Sequence, residues 1–205
     1  FTRMQTTRFV KDVAELRTYH MDIRQVLSDN SVKDIPTEED TVFLETVDDL
    51  LGAPDTVTPW GGTVQWKTIS GGITRETMQD AFKVMPSTPS RLEVNTVLVN
   101  NLTIREILKW GRDEVGADKS QDLLVNGWTD TEFMKAKWIV TIKQDLVPTD
   151  SMYMFAHEKY VGKAFEIEAP TMVVKREAFM VEWWTYQEVG VGLGNSSGLA
   201  RVDFA

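Results

Sequence analysis

The sequence predicts an α+β fold, with helices early in the chain and strands late. In the first half, apolar residues recur at intervals of three and four, as on one face of a helix. Toward the C-terminus they alternate with other residues, as in half-buried strands. The chain has 205 residues, of which 42% are hydrophobic and 26% are charged. It can therefore form one large packed domain or two small ones.

Two helices are predicted in the first fifty residues. The apolar stripe of the first helix consists of Val13, Leu16, His20, Ile23 and Leu27. Asp29, Asn30 and Ser31 break this pattern. A second helix is predicted to begin at an N-cap on Thr37, because acidic residues follow in the first turn, where the helix dipole favours them. Its apolar face consists of Phe43, Val47, Leu50 and Leu51, before a stop at Gly52.

The middle of the chain combines turns with two further helices. Proline and glycine are frequent in the segment 53–72, which predicts a short hairpin that contains Trp60 and Trp66. Thr74 is a typical N-cap for a third helix. The inward face of this helix consists of Met78, Ala81, Phe82 and Met85. A strand is predicted over 91–100, and Asn100 or Asn101 is predicted to cap a fourth helix.

The last third of the chain predicts strands. The segment 113–131 is polar and contains glycine, which indicates an exposed loop. Predicted strands follow at 136–142, 151–156, 164–167 and 171–174, with Pro148 and Pro170 between them. A long strand then begins at Phe179, with apolar residues on its odd positions and Met180, Trp184 and Tyr186 on its even ones. Glycines lead from it into a short closing strand at 199–204.

Composition excludes several classes of protein. The chain contains no cysteine, so disulfides, thiolate zinc sites and cysteine nucleophiles are impossible. The formal charge of −9 argues against binding a nucleic-acid backbone by bulk charge. No apolar run approaches the roughly 18 residues of a membrane span, and the N-terminal residues do not resemble a signal peptide. Because the sequence begins at Phe1 instead of Met, we expect it to start within a longer polypeptide.

The side chains that could perform chemistry do not form a convincing catalytic set. His20 and His157 are far apart, and His20 lies on an apolar helix stripe, whereas a metal site needs three or four converging ligands. Carboxylates cluster at 38–40, 48–49 and 166–168, and a glycosidase-like hydrolase would need two of them across a cleft. The glycines of 190–198 precede a strand instead of a helix, unlike a dinucleotide-binding loop. We therefore expect no enzyme activity, catalytic residue, cofactor or metal.

Four tryptophans are the candidate structural or interface residues. Trp183 and Trp184 are adjacent on a predicted strand, so their side chains point to opposite faces. We expect one of them to lie in the core and the other near a contact between subunits or layers, where tryptophan is over-represented. Trp60 and Trp66 belong to the predicted turn-rich hairpin. Stacking on nucleic acid is disfavoured for the Trp183 pair, because Glu182 and Glu188 flank it.

Several segments, in order, resemble the tailed-phage major capsid proteins of the Hong Kong 97 fold. Residues 7–51 resemble the stretch around and after the spine helix of that family. ITRETMQDAFKVMPS, then RLEVNTVLVNNLTIREILKW, resemble the helix, strand and helix that cross from the peripheral to the axial domain. AKWIVTIKQDLVP and residues 151–204, including EAFMVEWWTYQEVGVGLGNSSGLARVDF, resemble the closing β-rich part.

The resemblance implies a domain layout and a structural function. Residues 1–90 would form the spine helix and peripheral region, 91–150 the axial region, and 151–205 a β-rich region returning to the peripheral domain. The subunit would self-assemble into hexamers and pentamers of an icosahedral phage head that encloses double-stranded DNA without sequence-specific binding. Its location would be the virion, and the host cytoplasm during assembly. Portal, scaffold and cement proteins are the implied partners, with no role for a membrane.

Two alternatives to a phage capsid remain open at this point. An encapsulin-type nanocompartment shell shares the fold but encloses cargo proteins. The other alternative is a carboxylate-dependent hydrolase, which is a third hypothesis for the function. The family also has an N-terminal arm and an extended hairpin loop before the spine helix. Nearly all of these segments is missing from this sequence, so we expect it to be the C-terminal part of a longer subunit.

Overall fold

The computed structural model describes residues 2–6, 8–18, 23–110 and 132–205. The helices are α1 (Val13–Thr18), α2 (Ile23–Leu51), α3 (Arg75–Lys83), α4 (Asn101–Leu108) and α5 (Glu158–Val161). The strands are β1 (Thr2–Gln5), β2 (Phe9–Asp12), β3 (Trp66–Ile69), β4 (Thr96–Asn100), β5 (Glu132–Phe133), β6 (Ala136–Thr141), β7 (Ser151–Phe155), β8 (Gly162–Glu177), β9 (Met180–Leu193) and β10 (Leu199–Phe204).

The chain divides into two units. Unit 1 consists of Phe1–Glu45 and Lys163–Gly192, and unit 2 consists of Thr46–Gly162 and Leu193–Ala205. Helix α2 therefore contributes its first part to unit 1 and its last turns to unit 2. The predicted order of early helices and late strands is confirmed, although β1 to β3 also occur early.

Unit 1 contains a sheet built around β9. Strand β1 pairs antiparallel with the middle of β9, from Thr2 opposite Val189 to Gln5 opposite Tyr186. Strand β2 pairs antiparallel with the beginning of β9, where Phe9 lies opposite Trp183. Strand β8 also pairs with β9, through the turn at Ala178 and Phe179. The long final strand predicted from alternation is confirmed, but Phe179 itself lies in the turn.

Unit 2 contains a six-stranded mixed sheet in the order β3-β10-β7-β4-β6-β5. Strand β10 is parallel to β3 and antiparallel to β7, and β4 is antiparallel to β7 and parallel to β6. Residues of α3 and α4 pack against this sheet in one apolar cluster. The fully buried members include Met78, Ala81, Met85, Ile107, Val97, Val99, Met152, Met154 and Val202. The closing strand predicted at 199–204 is confirmed, and it lies inside the sheet.

The caps of α3 and α4 agree with the sequence. The Thr74 hydroxyl accepts a hydrogen bond from the Thr77 amide, and the Thr77 hydroxyl accepts one from the Thr74 amide, which completes a capping box. The side chain of Asn100 accepts from the Leu102 amide at 2.9 Å and so caps α4. Each of these bonds joins residues two or three positions apart at the start of its helix, so the sequence alone is sufficient to predict it.

The predicted break before Thr37 is wrong. Helix α2 continues from Ile23 to Leu51 through residues 29–31, and it contains Pro36. Thr37 is not a cap, because it lies inside α2, where its carbonyl oxygen accepts a hydrogen bond from the Thr41 hydroxyl at 2.8 Å. Helix propensity is a weak local preference that tertiary context overrides.

Three predictions about strands need correction. The hairpin predicted within 53–72 is wrong, since β3 pairs in parallel with β10 and Trp60 lies in a turn. The strands predicted at 164–167 and 171–174 are one strand, β8, which continues through Pro170. Within the described residues β8 pairs only with β9, and proline is tolerated in such edge strands because its missing N–H costs no ladder bond. The strand predicted at 91–100 is limited to Thr96–Asn100.

Candidate functional site

A partly buried charge cluster lies in unit 2, around Arg201 of β10. The Arg201 guanidinium donates from Nη1 to Asp48 Oδ2 at 2.8 Å and to the Tyr153 hydroxyl at 2.9 Å. It also donates from Nε to Asp203 Oδ1 at 3.1 Å. Its central carbon lies 4.1 Å from the centroid of the Trp66 ring, in a cation–π arrangement. We call these five residues the Arg201 cluster.

Strand register brings the Arg201 cluster together. Arg201 lies opposite Tyr153 in β7 and opposite Trp66 in β3, so the three side chains are direct cross-strand neighbours. Asp203 follows two residues later on the same face of β10, and it accepts from Trp66 Nε1 at 2.6 Å. Helix α2 supplies Asp48, whose Oδ2 also accepts from the Tyr153 hydroxyl at 3.0 Å. The cluster therefore links α2 to three strands.

The electrostatics of the Arg201 cluster suit a structural connection. Burial raises the pKa of Tyr153, and the neighbouring Asp48 raises it further, so the phenol is neutral near pH 7. Burial lowers the pKa of Arg201, but Tyr153, Asp203 and Asp48 outweigh this effect, and the net pKa is raised. A permanently charged arginine and a neutral tyrosine offer no group that titrates near neutral pH. The cluster is suited to holding α2 on the sheet.

The described histidines and carboxylates do not converge on a metal site. In 2–6, 8–18, 23–110 and 132–205, no group of three or more His, Asp or Glu side chains could hold a metal ion. His157 caps α5, where its Nδ1 accepts from the Lys159 amide at 3.3 Å. His20 lies outside the described residues. The described helices include none that is both long enough and apolar enough to cross a membrane.

The structure separates the four candidate tryptophans. Trp183 in unit 1 is 1% exposed, and its Nε1 has no hydrogen-bond partner within the part of the chain that the structure describes. Trp184 is half-buried, with the Arg8 guanidinium 5.0 Å from its ring centroid. In unit 2, Trp66 belongs to the Arg201 cluster, whereas Trp60 is 81% exposed in a turn. The role of these residues at a subunit interface stays a prediction.

The glycines of the C-terminal segment permit close packing. A Cβ at Gly192 would lie 3.0 Å from a ring carbon of Phe165 on β8. A Cβ at Gly198 would contact Ala156 and Val161 at about 3.5 Å. Gly198 also ends a 3₁₀ turn, Ser196–Gly198, that leads directly into β10. These glycines serve sheet packing, as the sequence predicted, instead of a phosphate loop.

Among the described residues of unit 1, the hairpin formed by β8 and β9 carries most of the exposed large apolar side chains. Most of β8 is exposed, although the strand is rich in apolar side chains. The exposed apolar residues of the hairpin are Phe165, Ile167, Met172, Val174, Phe179 and Met180. Single exposed apolar residues are ordinary, but a run of them on one element indicates a protein contact. This surface, with a strand edge on β8 that pairs with no other described strand, is the candidate interaction site of the chain.

Comparisons with protein-family models and with curated proteins find no match. Solved structures, in contrast, match almost the whole chain. A structure from Mycobacterium phage Che8 has a TM-score of 0.72 at 11% identity and covers 98% of this chain and 70% of that chain. The capsid of an empty GTA particle, computed with C5 symmetry, has a TM-score of 0.71 at 10% identity, with coverages of 99% and 73%. A virus-like particle from Pyrococcus furiosus has a TM-score of 0.60 at 15% identity, with coverages of 98% and 76%.

These likenesses show the fold. The chain has the Hong Kong 97-like capsid fold, a mixed arrangement of helices and strands, as the resemblance of its segments implied.

Sequence reasoning missed the Arg201 cluster. In the sequence, Asp48 lies more than a hundred residues before Tyr153, and Tyr153 lies about fifty residues before Arg201. No short motif joins them. One signal was available: Arg201 and Asp203 alternate with apolar residues in the closing strand, LARVDF. Charged residues on one face of a strand that is central in a sheet require partners, but the sequence does not reveal which strands those partners come from.

Proposed function

We propose that this chain is a major capsid protein, a structural subunit that self-assembles into the hexamers and pentamers of an icosahedral phage head. The observation that supports this proposal is the similarity of nearly the whole chain to capsid structures, with a TM-score of 0.71 for the empty GTA particle. A likeness over 99% of this chain leaves little of it for an unrelated function. In this proposal the head encloses double-stranded DNA, and the subunit resides in the virion after assembly in the host cytoplasm.

The exposed hairpin supports self-assembly. Rings of identical subunits use heterologous contacts, in which one face of a subunit meets a different face of the next. For such a contact, the β8–β9 hairpin offers apolar side chains and an edge of β8 that no other strand of the described ranges pairs with. The contacts need not be individually strong, because many of them add up in a closed shell.

The charge of the chain supports enclosure of DNA without specific binding. A net charge of −9 repels phosphates, so DNA can move past the inner surface without being held there. Portal, scaffold and cement proteins would be the other partners, and catalysis would have no part in the function. The domain layout stays a prediction, with 1–90 as the spine and peripheral region, 91–150 as the axial region and 151–205 as the closing region. These regions are defined by where each of them lies in an assembled ring.

A nanocompartment shell of the encapsulin type is the second candidate. The similarity to the Pyrococcus furiosus virus-like particle, with 15% identity, favours it specifically. The two candidates share the shell and differ in the contents, which are DNA in one and cargo protein in the other. A carboxylate-dependent hydrolase has weaker support, since several carboxylates already bond to other side chains: Glu168 to Tyr186, Glu39 to Gln187 and Asp48 to Arg201.

Expression of the natural polypeptide, followed by negative-stain electron microscopy, tests the proposal. We expect uniform icosahedral particles. Particles from the natural source that protect DNA from nuclease would identify a phage head, and particles that retain a second protein would identify a nanocompartment. A monomer with hydrolase activity that one carboxylate substitution abolishes would contradict both shell proposals.

A further inference from the structure

Unit 1 contains a groove lined by both acidic and apolar side chains. Residues of α2 form one side of the groove, and residues of β8 and β9 form the other. The carboxylates that line it are Glu39, Asp40 and Glu166. The larger apolar residues that line it are Phe43, Val189 and Val191. The groove has a volume of about 420 Å³, which is typical of a binding pocket.

A buried acceptor in the groove points to a cationic or N–H-rich occupant. Gln187 is only 5% exposed, and its Nε2 donates to Glu39 Oε1 at 2.8 Å. This bond assigns the other amide atom as Oε1, since a carboxylate needs a donor. Gln187 Oε1 is buried and has no hydrogen-bond partner among the described residues. An orphaned acceptor beside three carboxylates would be satisfied by a lysine or arginine from outside.

The tip of the β8–β9 hairpin has the complementary chemistry. Lys175 and Arg176 lie near the end of β8, and both are exposed. Lys175 pairs with Glu177 at 3.1 Å, but an ion pair this exposed contributes little and exchanges readily. At the turn, Phe179 is 75% exposed, and Met180 beside it is also exposed. We call these four residues, Lys175, Arg176, Phe179 and Met180, the hairpin tip.

The hairpin tip cannot reach the groove of its own chain. Both belong to the same hairpin, but Val189 in the groove lies ten positions after Phe179 in the sequence. Strand β9 is continuous between them, and at about 3.3 Å per residue the separation is about 33 Å. A contact between tip and groove therefore requires two copies of the chain. Because the two surfaces differ, the contact is heterologous and can repeat to close a ring or extend a lattice.

We propose that the hairpin tip of one copy docks in the acidic groove of a second copy of this chain. Lys175 and Arg176 meet the carboxylates of the groove, and one of them supplies the donor for Gln187 Oε1. Phe179 covers part of the apolar lining of the groove. The inference rests on the proposed self-assembly and identifies two of the surfaces that assembly uses.

Engineered disulfides test the contact directly. The 205 residues contain no cysteine. In a variant with Phe179→Cys at the tip and Glu166→Cys in the groove, they therefore supply no other thiol that could compete. We expect assembled particles of this variant to give a ladder of linked oligomers beyond the dimer on non-reducing gels. A matched variant with Phe179→Cys and Arg75→Cys, the latter exposed on α3, should give no ladder. Each single-cysteine variant should form dimers at most.

A charge exchange provides the second measurement. The tip variant Lys175→Glu/Arg176→Glu should raise the protein concentration needed for assembly at least about tenfold, because it places like charges opposite each other. The groove variant Asp40→Lys/Glu166→Lys should do the same. The variant that combines all four changes should assemble within about threefold of the natural protein. As a control, Arg75→Glu/Lys137→Glu alters the charge equally at exposed positions of unit 2.

The outcomes distinguish this inference from the proposed function. If the natural polypeptide forms no particles, the proposed function is wrong and this inference falls with it. If it forms particles in which the tip–groove cysteine pair gives no ladder, or only dimers, the inference alone is overturned. The same holds if reversing the tip charges leaves assembly unchanged, or if the combined variant is as defective as its parents.

Discussion

Replacing Arg201 by methionine tests how much the Arg201 cluster contributes to the stability of unit 2. Methionine has a similar length and retains apolar contact with Trp66, but it removes three hydrogen bonds, to Asp48, Tyr153 and Asp203. It also leaves two carboxylates near each other without their cation. Because the charges remain partly buried, the cost exceeds that of an ordinary surface ion pair.

The magnitude of this loss depends on burial. Removing one partner of a fully buried ion pair costs about 3–5 kcal/mol. The Arg201 side chain is 11% exposed, but Asp48 and Asp203 are 30% and 25% exposed, so water screens the remaining carboxylates in part. We expect Arg201→Met to lower the free energy of unfolding of unit 2 by about 2–3 kcal/mol. Arg201→Lys keeps the charge and loses the forked geometry, so it should cost about half as much.

Hydrogen exchange is the assay that isolates this unit. Amides of β7 and β10 report the free energy of opening where the Arg201 cluster connects these strands, and unassembled protein avoids stabilisation by neighbours. The decisive variant combines Arg201→Met with Asp48→Asn and Asp203→Asn. Asparagine keeps an acceptor oxygen and removes the unpaired charge, so the triple variant should recover at least about 1 kcal/mol relative to Arg201→Met.

Two results would refute this reasoning. Arg201→Met and Arg201→Lys could prove equally mild, which would mean that water already solvates the carboxylates. Alternatively, the triple variant could be less stable than Arg201→Met, which would mean that packing and hydrogen-bond geometry, instead of uncompensated charge, determine the cost.

Three further predictions concern pH, packing and helix continuity. Burial raises the pKa of Tyr153 above its ordinary 10.0. The neutral phenol therefore stabilises the fold below pH 10, and this contribution is lost as the pH rises further. Between pH 8 and 11, the urea midpoint should fall less steeply in Tyr153→Phe than in the natural protein. Trp183→Ala should cost about 3–5 kcal/mol in urea unfolding and Trp60→Ala less than about 0.5, because the first side chain is buried and the second exposed; equal losses would contradict this assignment. Pro36→Ala should raise the free energy of unfolding by about 2 kcal/mol. Proline inside a helix costs about 3 kcal/mol, and about 1 kcal/mol of this is offset because proline restricts the unfolded chain. A lower thermal midpoint in the variant would indicate that the native helix requires the proline.

Local signals in the sequence predicted part of the fold. The capping box at Thr74 and the cap at Asn100 depend on residues within three positions of each other, so they are readable without tertiary structure. The alternation of the long strand and the closing strand is also local. In contrast, the partner of β3 is β10, about 130 residues later, and no local pattern in 53–72 indicates that pairing.

The same difference between local signals and long-range contacts applies to the candidate sites. Trp183 was predicted as one of a pair with one buried member, but alternation alone does not choose which face of a strand is covered. Continuity of α2 through Pro36 was not predictable, because turn-forming residues and proline argue locally for an end. Longer-range packing determines whether such a local preference is followed.

By itself, the sequence determined the α+β class, the order of its elements, the absence of any cysteine chemistry and the acidic charge, since each is a property of composition or of neighbouring residues. Only the tertiary structure decided that Asp48, Tyr153 and Arg201 share one cluster, and that the acidic groove and the basic tip lie at opposite ends of one hairpin. The physical reason is that strand register and helix placement bring together residues that are distant in sequence. Those contacts depend on how the whole chain packs.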